Sequence, residues 1–77
     1  VPHIIAKVRS GYSRAQRKRL ATALSKAIVD ALDCPYFDVS VGIEEVRPTD
    51  WDERVYKSDI LGKLDTLYKH PGQAAPK

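Results

Sequence analysis

Hydrophobic and polar positions change their period three times along the 77 residues. Ile4, Ala6 and Val8 recur at every second position, as on a strand with one buried face, although Ile5 blurs the alternation. The period then lengthens, and Leu20, Leu24, Ala27, Ile28 and Ala31 fall on one helical stripe. From Asp38 to Glu44 it returns to two. This places Val39, Val41 and Ile43 under the helix and turns Ser40, Gly42 and Glu44 elsewhere. A last helical pattern carries Ile60, Leu61, Leu64, Leu67 and Tyr68.

Turn and cap residues punctuate these elements. Gly11 and Tyr12 form the first turn, and Ser13 with Gln16 three residues later is a capping box, in which each side chain satisfies a free backbone donor at the helix start. The helix is expected to run to about Asp33, with Pro35 stopping it. Strand, long helix and strand make a βαβ unit with parallel strands and a right-handed crossover. Arg47 to Asp50 reads as a turn, with Thr49 or Asp50 able to cap a short helical piece from Trp51 to Arg54. Ser58 or Asp59 is expected to cap the last helix. Gly62 weakens that helix by roughly 1 kcal/mol relative to alanine, and His70-Pro71-Gly72 ends it. Gln73 to Lys77 reads as a frayed tail.

A chain of this length forms one domain, residues 1–77, with barely enough apolar surface for one core, so association is expected. The hydrophobic fraction of 43% and charged fraction of 30% are those of a soluble globular domain, without an apolar run that could span a membrane. No signal or transit segment is expected ahead of the first strand. The single cysteine, Cys34, excludes an intrachain disulfide and fits a cytoplasmic location. Five of the thirteen Lys and Arg residues lie in the first helix, but Lys18, Arg19 and Lys26 project away from its apolar stripe as a solvated face. Without a stacking array or a recognition-helix pattern, nucleic acid is not an expected partner. His3, His70 and Cys34 lack metal-ligand spacing, and the four glycines are isolated rather than gathered in a phosphate loop, so neither metal nor cofactor is expected.

Pro2 is the residue through which chemistry enters. Proline commonly opens a strand because it lacks a backbone donor. If Val1 is removed, however, Pro2 becomes a free secondary amine fixed at a strand end, able to act as base or nucleophile.

Pro2 opening strand one, Gly11-x-Ser13 with Gln16, the Leu-Asp-Cys-Pro segment at Leu32 to Pro35, and Val39 to Ile43 followed by Glu45 together resemble the tautomerase superfamily. These are small βαβ enzymes, typified by 4-oxalocrotonate tautomerase, that use an amino-terminal proline. The resemblance runs without a gap through Trp51. Beyond it, Val55-Tyr56-Lys57, Asp59-Ile60 and Leu67 to Gly72 look like the phenylpyruvate-type subgroup with its longer carboxyl-terminal helix.

The resemblance implies a proton shuttle in which Pro2 is the general base. A base works best with a pKa near the working pH, and desolvation or neighbouring cations would lower a proline amine toward it. Two arginines that hold a dicarboxylate in 4-oxalocrotonate tautomerase are matched here by Tyr12 and Ser40, so a diacid is not the expected substrate. Tyr12 and Ser40 are either donors to a carbonyl oxygen or ordinary turn and strand residues. Trp51 keeps an aromatic position, as a pocket wall or as a core or dimer anchor. Arg9 falls where dehalogenating relatives carry a carboxylate-binding arginine, and Glu53 where they place a water-activating glutamate.

The resulting expectation is an α/β, βαβ tautomerase-like fold with an extra carboxyl-terminal helix and a four-stranded sheet completed by dimerisation. The other sheet face and the last helix are expected to supply subunit contacts, and a trimer of dimers is the second choice of assembly. The expected activity is cofactor-free keto–enol tautomerisation of a small acidic enol or ketone, such as a 2-hydroxyalkenoate or 2-oxo acid, with an aryl group allowed. A hydratase or dehalogenase of the 3-haloacrylate type and a non-catalytic interaction domain remain the alternatives.

Overall fold

The computed structural model describes residues 1–75; the last two residues of the tail expected at Gln73 to Lys77 lie outside it. Strand β1 (His3–Arg9) leads through Gly11, whose φ of +124° is open to glycine, into helix α1 (Arg14–Leu32). The capping box forms in full: Ser13 Oγ accepts from the Gln16 N–H at 3.1 Å and Gln16 Oε1 accepts from the Ser13 N–H at 2.8 Å. At the other end Asp33 adopts the left-handed conformation (φ 53°) and its N–H reaches the Val29 carbonyl at 3.0 Å. The helix is therefore closed before Pro35, by a short acidic residue of the kind that tolerates this backbone.

Strand β2 (Ser40–Val46) starts two residues later than its alternation suggests. Tyr36–Asp38 instead forms a 3₁₀ turn, with the Asp38 and Val39 N–H groups bonded to the carbonyls of Pro35 and Tyr36. Among the described residues the sheet has two strands, parallel as expected, with His3 opposite Ser40 and Arg9 opposite Val46.

The two sheet faces carry different partners. On one, Val8 lies beside Leu20 and Gln16 of α1, Ile43 lies beside Ala21, and Glu45 pairs with Arg17 at 3.1 Å. The half-buried positions of α1 are Arg17, Leu20, Ala21, Leu24, Ser25, Ile28 and Val29, whereas Ala27 and Ala31 are exposed, contrary to the stripe read from sequence. Two strands make a narrow platform, and those alanines lie beyond its flank.

The chain's own carboxyl-terminal segment lies against part of the second face, where Ile5 remains 49% exposed. Ile5 and Lys7 line a hollow with Val55, Asp59, Ile60 and Leu67, and Lys7 forms an ion pair with Asp59. Among the described residues the fully enclosed core consists of Val46 and Val55, 1% and 6% exposed. The covering segment is not the α-helix expected from Ser58. It is a wide π-helical stretch (Asp52–Ile60) that tightens into a 3₁₀ stretch (Leu61–Thr66), with Lys63 off helical geometry. Ser58 lies inside it and donates to the Arg54 carbonyl at 2.7 Å, so it caps nothing. Asp50 likewise forms no side-chain cap, because its carboxylate is held by Arg47 Nε at 2.9 Å. Tyr68 is fully exposed, outside the apolar face assigned to it.

Candidate active site

The parallel ladder fixes Pro2. Its carbonyl accepts the Ser40 N–H at 3.1 Å, one step ahead of the first strand pair, and the residue is half-buried at the head of β1. Across the same rung His3 Nδ1 lies 2.6 Å from Ser40 Oγ, so the Ser40 hydroxyl is itself hydrogen-bonded. Val1, which acylates the Pro2 nitrogen in this chain, is 98% exposed.

The remaining candidates gather at the other end of the sheet. The Arg9 guanidinium stands 5.5 Å from the centroid of the Trp51 ring, within cation–π range. Trp51 is held there by the turn before it: the Asp50 N–H bonds to the Arg47 carbonyl and the Arg54 N–H to the Asp50 carbonyl, both at 2.9 Å. Tyr12 sits beside a cleft of about 460 Å³ lined also by Val8, Gln16, Arg17, Arg19 and Leu20. Arg17 donates to the Tyr12 carbonyl at 2.5 Å while pairing with Glu45, which ties the turn to both helix and sheet. Glu53 is exposed and paired with Lys57 at 2.6 Å. The Glu53 and Asp52 carboxylates hold the Lys57 ammonium above its ordinary value.

One protomer thus divides the candidates into two groups. At roughly 3.3 Å per residue, the seven steps from Pro2 to Arg9 carry the chain about 23 Å. Pro2 and Ser40 share the head of the sheet, while Arg9, Tyr12, Trp51 and Glu53 lie at or beyond its tail. Sequence reading also passed over His3 and Arg17. The first escaped because the register that sets His3 opposite Ser40 depends on β2 starting at Ser40 rather than at Asp38; the second reads in sequence only as the edge of a helical stripe.

Comparison with known proteins agrees with this architecture. The family described as "Tautomerase enzyme" matches residues 2–52, beginning at Pro2 and ending one residue past Trp51. A probable tautomerase from Xylella fastidiosa is 38% identical over 72 residues, covering 94% of this chain and 88% of that protein. Tautomerase PptA from Cronobacter sakazakii is 38% identical over 73 residues, covering 94% and 96%. Among solved structures, a chain of a heterohexameric 4-oxalocrotonate tautomerase from Chloroflexus aurantiacus is similar with a TM-score of 0.59 and 39% identity, over 66% of this chain and 81% of that one. A match of this extent, carried by the same strand–helix–strand unit that holds Pro2 against Ser40, places the chain in the tautomerase family of isomerases.

Proposed function

We propose that this tautomerase interconverts the enol and keto forms of a 2-oxo monoacid, aryl-bearing substrates included, with Pro2 as the base once Val1 has been removed. The supporting observation is the place of Pro2, pinned by Ser40 at the strand head where the family match begins. The Pro2 amine takes the proton of the enol oxygen; as the carbonyl forms, the electron pair of the carbon–carbon double bond takes a proton from the prolinium at the adjacent carbon. The amine is regenerated, and no redox partner is needed. The pyrrolidine ring fixes the nitrogen, so little orientational freedom is lost on reaction.

Arg9 is the anchor for the substrate carboxylate, since its fork matches two oxygens and the Trp51 ring beneath restricts the guanidinium. Tyr12 and Ser40 donate to the carbonyl oxygen, and Trp51 forms the wall for an aryl group. Because a strand length separates Arg9 from Pro2, the anchor serves the Pro2 of a neighbouring protomer. A neighbour pairing antiparallel along a free sheet edge brings strand tail beside strand head, twice over by symmetry. Both strands here have an unpaired edge, and such edges call for cover. Leu32, Tyr36 and Phe37, at 62%, 63% and 86% exposure, add apolar surface at the end of α1. A dimer is preferred on the resemblance to the longer-tailed, phenylpyruvate-type subgroup; a hexamer, as in the Chloroflexus aurantiacus enzyme, is the second choice. Glu53 has no step in this reaction, and its pairing with Lys57 gives the water-adding alternative no support.

The test compares chains beginning at Pro2 with chains retaining Val1, by intact mass and by ketonisation of phenylenolpyruvate. Only the trimmed chain is expected to be active; equal rates would reject the base assignment.

A further inference from the structure

We infer that His3 is a positioning residue for the reaction, setting the direction in which the Ser40 hydroxyl donates; this rests on the reading of Pro2 and Ser40 given above. The two side chains belong to the first rung of the ladder, on one face of the sheet, with Nδ1 and Oγ 2.6 Å apart. The Ser40 backbone is fixed by its N–H bond to the Pro2 carbonyl and its Oγ lies against His3 Nδ1, so what remains is the rotation that aims the hydroxyl proton, and His3 decides it. A serine hydroxyl has one proton to give, and a neutral imidazole nitrogen is either donor or acceptor. If Nδ1 accepts, the Ser40 proton is consumed by His3 and none remains for substrate. If Nδ1–H donates, Oγ is the acceptor and its own proton is free for the substrate oxygen as that oxygen gives up its hydrogen to Pro2. The second arrangement is the productive one: imidazole to hydroxyl to substrate oxygen.

No other polar side-chain contact is made by Ser40 among the described residues. Coupling between the two positions is therefore confined to this bond, and a mutant cycle reads it directly. In chains trimmed to Pro2, Ser40→Ala and His3→Phe are each expected to lower kcat for phenylenolpyruvate about tenfold, a modest loss for a hydrogen-bond donor at a developing oxyanion. KM should change little. His3→Phe in the Ser40→Ala background should add nothing further, and His3→Asn, which keeps an amide donor near the Nδ1 position, should recover most of the rate. His3 is exposed, so replacing it does not open a core, and circular dichroism verifies the fold of each variant.

Losses that multiply in the double variant, or a His3→Phe or Ser40→Ala enzyme with unchanged kcat, would overturn the inference. Failure to recover with His3→Asn alongside a loss in the Ser40→Ala background would do the same. Pro2→Ala in the same panel keeps the two readings apart. Loss of activity there with a multiplicative cycle sinks only the role of His3, whereas full activity there sinks the base assignment whatever the cycle shows.

Discussion

The guanidinium of Arg9 lies over the ring of Trp51, 5.5 Å from its centroid, and joins the last residue of β1 to the residue that opens the carboxyl-terminal segment. A cation held on an aromatic face keeps its in-plane N–H groups free, which is what a carboxylate anchor needs. Arg9→Ala should lower kcat/KM for an acidic enol by about 2 kcal/mol, the worth of a charged hydrogen bond. Trp51→Leu should cost about 1 kcal/mol for the same substrate by freeing the side chain. Steady-state kinetics on both variants checks the order; an Arg9→Ala enzyme with wild-type efficiency would direct the search to Arg47 or Arg54.

Separation of the candidate residues along β1 predicts complementation. Pro2→Ala and Arg9→Ala chains should each be weakly active alone. Mixed in equal amounts and allowed to exchange, they should recover roughly a quarter of wild-type activity, because half of the random dimers are mixed and each of those holds one intact site. Recovery on mixing is the measurement. Its absence, with exchange proved by mass spectrometry, would confine the site to one chain.

The Lys7–Asp59 ion pair ties the covering segment to the sheet and has a defined pH signature. The hydrogen bond from Lys7 holds the Asp59 carboxyl below its ordinary value of 3.8. A depressed folded-state value stabilises the fold above the unfolded value, and the contribution is lost as pH falls from 3.8 through the folded one. Asp59→Asn should therefore lower the melting temperature at neutral pH and shrink the further loss on acidification below pH 3.8. Lys57 has the opposite sign: its raised value stabilises fully below 10.5 and is lost as pH climbs past the folded value. Melting curves across both ranges resolve the two.

Val55 is one of two enclosed side chains among the described residues, and Val55→Ala removes buried carbon on the face away from α1. The expected loss is about 2 kcal/mol, from lost transfer energy plus an unfilled space. Urea denaturation measures it, and limited proteolysis should show cleavage near 55–66 rising in step. Ala74→Ser, in the exposed tail, is the neutral control.

The βαβ order, the parallel pairing and the Ser13–Gln16 box were legible because each is written in local chemistry: a period, a proline, a serine three residues before a glutamine. What was not legible depends on distance between parts of the chain. Ala27 and Ala31 belong to a helical stripe by spacing alone, yet the sheet is too narrow to reach them. Asp38 and Val39 continue the alternation of β2, but the chain leaving Pro35 is still closing a 3₁₀ turn. Ser58 and Asp50 carry capping side chains that the structure spends on Arg54 and Arg47. At the site, Pro2, Arg9, Ser40 and Trp51 were each nameable from sequence, but their division between two ends of a strand emerged only when the ladder was laid out.

Catalysis assembled across such a division would be second order in the chain. With tail and head supplied by different molecules, diluting the enzyme below the dissociation constant of its pairs would remove active sites faster than it removes protein. Specific activity, ordinarily a constant of an enzyme, would then fall with concentration, and a saturating enol that bridges the two molecules would restore it.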